Sequence, residues 1–318
     1  MDKARADVEE RVRRDWGLTL PESFFRLMEC MERLGPVERR ALADMGVSPC
    51  GVADVYDDPG ARPREGVDVR AHGRYYRDPP EFLTFLHGGS DGLHYGLWSD
   101  DGRTCEGIAS YYNNDGGGIE RHAGTPLEAV RALLERHWRD LADDDGDEEY
   151  LAERRSGLGA LRQALTGFET GDRAEVGIAC SRIHDAAVPP VDPGRITTLD
   201  GAGALVAGST ALDRPPHNGA DTYAFARYMY EFFEDHAAVE RSVEEARRRC
   251  AAGDPAEALV LGRDLHWASG GEPVFEGFAR DLLAAAYGAL DRPALAETAA
   301  AHHRHRDLPR VDVLLPSG

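Results

Sequence analysis

The chain has 318 residues, a net charge of −20 and an isoelectric point near 5.0. So acidic a surface repels phosphate backbones and anionic head groups, which argues against direct nucleic-acid binding, and no run approaches the ~18 apolar residues of a membrane span. The length suits about two domains, and the charged opening MDKARADVEERVRRDW lacks the apolar core of a secretion signal, so a cytoplasmic protein is expected.

Leu20-Pro21-Glu22-Ser23 opens a first strong helix, with Phe24, Phe25, Leu27, Met28 and Met31 recurring every three or four positions. Phe82–Leu86, Leu93–Trp98 and Thr104–Tyr111 are β-prone runs separated by Gly/Asp turns and predict an antiparallel meander. Thr125-Pro126-Leu127-Glu128 starts a helix with a capping box and a first-turn proline. Seven of the eleven residues in Asp140–Tyr150 are acidic, which resists burial. Residues 143–150 are therefore taken as a linker between an α+β domain, 1–142, and a helix-rich domain, 151–318.

In the second half, Phe225, Met229, Phe232, His236, Val239, Val243 and Ala246 predict one long helix, with His236 inside or at the edge of its apolar stripe. Leu259, Leu265, Phe275, Phe278, Leu282, Leu283, Tyr287 and Leu290 continue the helical pattern. Ala174–Ala179 and Leu199–Ala207 read as extended, and Val188–Gly194, rich in proline, as a loop. The expected fold is α+β: two packed domains, an antiparallel sheet with helices, then a mostly helical unit with a small sheet.

Two familiar catalytic signatures are missing: there is no HExxH and no GxxxxGK[ST]. The five cysteines, Cys30, Cys50, Cys105, Cys180 and Cys250, are far apart and never in CxxC spacing, so neither a disulfide framework nor a closed zinc site is expected. Asp115-Gly116-Gly117-Gly118 reads as a hairpin turn, and His302-His303-Arg304-His305 as a polar helix end favoured by the helix dipole. No metal, cofactor or self-contained catalytic group is expected. Three stretches stand out: Arg74–Phe82 with its paired prolines, Gly201–Gly203 followed by Ala211–Pro216, and Asp254–His266. In the last, Asp254 caps a helix that Pro255 opens and Glu257 completes a capping box.

At these stretches the chain resembles the histone PARylation factor family and its bacterial relatives. Tyr75-Tyr76-Arg77-Asp78-Pro79-Pro80-Glu81-Phe82 is similar to that family's aromatic-rich DPPEF signature. Leu20–Phe25 resembles its first-helix opening, Leu93-His94-Tyr95-Gly96 its following strand, Thr198–Val206 its small-residue strand and Leu261-Gly262-Arg263-Asp264-Leu265 its LGxDL helix. The likeness runs in order from about Arg14 to Leu308. It implies a two-domain accessory protein that docks on an ADP-ribosyltransferase or its protein substrate; in the animal factor a glutamate completes the composite site as general base on the acceptor serine.

Counted back from Gly262-Arg263-Asp264-Leu265, the family's Asp-Glu pair falls on Ala251 and Ala252. The family's general base is therefore missing, and the nearest carboxylates are Asp254 and Glu257. Arg214 stands where the resemblance places a partner-contacting arginine, with Asp213 in place of the preceding tyrosine. Arg214, Asp213, Asp254, Glu257 and His266 are the candidate partner-binding residues, and no catalytic residue is assigned. The first half also resembles the Smi1/Knr4 (SUKH) superfamily through LPESF and FLTFLHGG…HYGLW, which implies an alternative: an immunity protein that binds and occludes a toxin.

Overall fold

A computed structural model describes residues 2–115, 117–169, 194–214 and 222–317. Helices α1 (Asp2–Trp16), α2 (Glu22–Arg33) and α3 (Pro36–Asp44) lead to strand β1 (Val47–Pro49), followed by α4 (Val52–Asp57) and the short β2 (Arg62–Pro63). The expected meander is present as β3 (Phe82–Gly88), β4 (Leu93–Trp98) and β5 (Gly107–Tyr112), extended by β6 (Glu120–Ala123). The sheet is antiparallel throughout, in the order β1-β3-β4-β5-β6. The third strand starts at Gly107 rather than Thr104. Helix α5 (Pro126–Asp140) carries the full Thr125/Glu128 capping box, and α6 (Glu148–Thr166) starts where Asp147 accepts from Tyr150 N–H.

Burial runs along β3, β4 and β5 without the alternation of a half-exposed sheet, because both faces are covered. On one face, Phe85, Leu93, Tyr95, Leu97 and Ile108 share a core with α1–α6, including Leu151, Leu158 and Leu161 of the helix that begins within the acidic stretch. On the other, Phe82, Trp98, Ala109 and Tyr111 pack against C-terminal residues such as Leu199, Phe225, Leu259 and Tyr287. Gly96 makes the second packing possible: a Cβ there would sit 2.4 Å from the Phe82 ring.

The C-terminal half contributes β7 (Arg195–Ile196) paired with β8 (Ala204–Leu205), then α7 (Thr222–Glu234), α8 (His236–Ala251), α9 (Ala256–Ala268), α10 (Pro273–Ala289) and α11 (Pro293–His305). The single long helix expected over 225–246 is two helices. Asp235 breaks it by turning its side chain onto Ala238 N–H at 3.0 Å, an N-cap inside an unbroken apolar stripe. His236 consequently lies exposed at the start of α8, 5.2 Å from the Phe275 ring, rather than within a stripe. The chain ends in β9 (Leu314–Leu315), which returns to pair with β2. The extended reading of Ala174–Ala179, most of the proline loop Val188–Gly194, Cys180 and Gly116 lie outside the described residues. Among the described residues, no helix is long and apolar enough to cross a membrane.

Candidate functional site

Helix α9 carries its charged residues into the interior, and each holds part of the loop before α7. Glu257 is fully buried and accepts from the backbone N–H groups of Ala211 and Leu212. Arg214 bridges it to Asp264, with Nη2 3.2 Å from Glu257 Oε1 and 3.0 Å from Asp264 Oδ2. Asp264 also accepts from Leu199 N–H at 2.7 Å. Burial pushes the Asp264 carboxyl up to about 6, against the pull of Arg214 and the Leu199 amide. Arg263, buried beside it, grips Asp200 through Nε at 2.8 Å and Nη2 at 2.6 Å and lies 5.3 Å from the Trp98 ring. The capping-box role expected of Glu257 is therefore absent: Pro255 occupies the N-cap position and Glu257 turns inward to Arg214.

Above this frame, the turn from α8 to α9 is exposed. Ala251 and Ala252 end α8 at the surface, and Gly253 turns the chain with φ +93° into open space. Asp254 follows, half-buried, accepting from Ala256 N–H at 3.4 Å and lying 3.8 Å from Arg249 Nη1. Arg249 in turn donates to Ser209 O at 3.2 Å, which draws the 208–214 loop against the turn. Gly208 is required there, since a Cβ would come within 2.4 Å of Asp254 Oδ1. Of the five sequence candidates, Asp213 is exposed and Asp254 partly so, while Arg214, Glu257 and His266 point into the protein. The surface thus presents carboxylates, flanked by two alanines, on a turn whose foundation is a set of buried ion pairs.

The DPPEF stretch lies at the seam between the sheet and the C-terminal helices. Asp78, fully buried, accepts from His94 Nε2 at 2.8 Å, Tyr111 Oη at 2.6 Å and Tyr75 N–H at 2.9 Å. Burial opposes its ionisation, but His94 and Arg74 outweigh that and hold the carboxyl below the usual range. Arg74 donates to the carbonyls of Pro79, Pro80 and Phe82, fixing the turns on which the prolines sit. From the other side, His266 Nε2 donates to Asp78 O at 3.0 Å, and Tyr287 Oη donates to Glu81 at 2.9 Å. Arg195 clamps Asp100 between the halves. The sequence singled out this stretch; its side chains join two halves of a fold, and their roles appear only once those halves are docked.

One His/carboxylate cluster, Asp54, His72 and Asp312, brings potential ligand atoms within 4.8 Å. Its hydrogen bonds suit a structural role. His72 Nδ1 accepts Val313 N–H at 3.2 Å, so Nε2 carries the proton and donates to Gly51 O and Asp54 Oδ2 at 3.0 and 2.9 Å. Metal at Nε2 would demand a proton on Nδ1, against the Val313 amide. His302, expected at a polar helix end, is instead buried against His266, with ring centroids 5.2 Å apart.

The family model of histone PARylation factor 1 matches residues 7–173, just over half of the chain. The chain belongs to that family. The matched segment holds the sheet, its N-terminal helices and the DPPEF stretch, and stops short of the α8–α9 turn.

Proposed function

From membership of the histone PARylation factor 1 family, we propose that this protein is a non-catalytic accessory factor in ADP-ribosylation, which docks on a PARP-type ADP-ribosyltransferase or its protein substrate through the α8–α9 turn and the loop beside it. The observation that carries the reading is the exposure of Ala251 and Ala252, with the half-buried Asp254 beside them, on a turn anchored by the buried Arg214–Glu257–Asp264 cluster. Asp213 and Asp254 face the partner, and Arg214, Glu257 and His266 act through the fold beneath. Asp254, not Glu257, is the carboxylate within reach of a bound enzyme, because both Glu257 oxygens are engaged by Arg214. The position of the family's glutamate holds alanine, so the protein supplies a surface rather than a general base at that point.

The test is calorimetric titration of the full chain into the catalytic region of a PARP-type transferase. Saturable binding, weakened at least fivefold by Asp213→Asn combined with Asp254→Asn with unchanged melting, is the expected result. Absence of binding, or equal binding by the double variant, overturns the reading. Incubation of the chain alone with labelled NAD and acceptor proteins is expected to transfer no label; time-dependent transfer would contradict the non-catalytic assignment.

A further inference from the structure

Three buried polar atoms, Trp16 Nε1, Arg74 Nε and Glu81 Oε2, meet no hydrogen-bond partner among the described residues, and the three residues that carry them all line one small pocket. Their residues come from two parts of the chain: Trp16 is the last position of α1, and Arg74 and Glu81 lie seven residues apart in the DPPEF stretch. Leu83 and Leu97 from the sheet and Leu295 and Thr298 from α11 supply much of the remaining wall, and all four are buried. The cavity measures about 20 Å³, and one water molecule requires roughly 10–15 Å³ by the same kind of measure.

We propose that this cavity is a binding site for a single ordered water, which accepts from the Trp16 indole N–H and from Arg74 Nε–H and donates to Glu81 Oε2. The hydrogen-bond valence matches. A water has two lone pairs for the two donors and a proton for the carboxylate oxygen, giving three bonds, the usual number for a buried water. The neighbours exclude ionic occupants: Arg74 repels a cation and Glu81 repels an anion.

The water completes a path that the side chains leave open. Glu81 uses Oε1 for the Tyr287 hydroxyl, with Arg263 Nη1 at 3.9 Å. Its other oxygen then reaches α1 through the water. A continuous chain of hydrogen bonds would run from Tyr287 on α10, through Glu81 and the water, to Trp16 on α1 and to Arg74. Helix α1 is thereby tied to the C-terminal half through a solvent molecule. This site does not depend on the proposed docking role.

A high-resolution crystal structure of the full chain tests it directly, read together with water-to-indole cross-relaxation in the nitrogen-15-labelled protein. One solvent peak within roughly 2.7–3.2 Å of all three atoms, with a cross-peak from slowly exchanging water to the Trp16 indole proton, is expected. A cavity without density, a peak in reach of at most one of the three atoms, or a Trp16 indole bonded to a protein atom overturns the proposal.

Discussion

The Tyr287 hydroxyl donates to Glu81 Oε1 at 2.9 Å, joining residues 206 positions apart in the chain. Both groups are buried, and burial drives the Glu81 carboxyl upward and the Tyr287 phenol well above its ordinary value. Tyr287→Phe keeps the ring and removes the donor, leaving a buried carboxylate oxygen unsatisfied. The expected cost is about 1–3 kcal/mol, read as a lower urea midpoint with an unchanged slope.

Arg214 should behave as a keystone rather than a contact. Arg214→Ala strands Glu257 and Asp264 as buried charges without their cation, an expected loss of about 3–5 kcal/mol. Asp213→Asn, at the exposed neighbouring position, should stay within ~0.5 kcal/mol. Equilibrium urea unfolding of both variants checks the contrast.

Ala252→Glu probes the turn. The position is exposed at the C-terminal end of α8, so the substitution should cost ~0.5 kcal/mol or less, slightly opposed by the helix dipole. In the presence of a bound transferase, the added carboxylate should raise acceptor modification, by up to ~10²–10⁴-fold for a well-placed base. A thermal melt checks the first outcome, and a label-transfer assay with the transferase the second.

Acidification should weaken the seam through its histidines. Burial, with Arg306 and His302 adding to it, holds His266 well below 6.5; burial, then Arg74 and Arg306, does the same for His302, although Asp78 pulls the other way. The unfolded chain therefore binds protons before the native one does, and stability falls as pH drops below the unfolded value of about 6.5, by up to about 1.4 kcal/mol per pH unit for each histidine. Glu106 works in the opposite sense. Burial and Asp100 push its carboxyl up to about 7, so its protonation favours the native state as pH falls through that value towards the ordinary carboxylate range. The comparison that isolates the histidine is His302→Leu against the parent chain: the melting-temperature difference should move in favour of the variant between pH 7 and pH 5.

Shortening the acidic stretch should be nearly silent if Asp147 is kept. Residues 142–149 are exposed, but Asp147 caps α6 through Tyr150 N–H at 2.9 Å. Replacing Asp143–Gly146 by Gly/Ser should shift melting by a degree or two, as for other surface changes, whereas adding Asp147→Ala should cost a further ~1 kcal/mol. Differential scanning fluorimetry is sufficient to separate the two.

The local elements were legible wherever a short-range rule governs them. The α2 opening, the three-strand meander and the Thr125/Glu128 box all follow from neighbours within a few residues. The break at Asp235 was hidden because apolar spacing continues through it, and a capping aspartate leaves no gap in a hydrophobic stripe. Glu257 misled for a related reason. It stands where a capping box would put it, but its partner Arg214 lies 43 residues away, and spacing carries no information about such a contact. The Asp78 network likewise needs His94, Tyr111 and His266, which only the docked halves bring together.

The returning C-terminal strand sets a timetable. Val313 N–H reaches His72 across 241 residues, Arg306 donates to Tyr76 O across 230, and Arg64 N–H takes Val313 O. Contacts this distant in sequence carry a large loop-closure entropy and slow a chain's search for its native state. During synthesis, the second face of the sheet, with Phe82, Trp98 and Tyr111, stays bare until α9 and α10 are made. A nascent N-terminal half thus carries a bare aromatic sheet face until those helices arrive, the kind of transiently exposed apolar surface that favours aggregation.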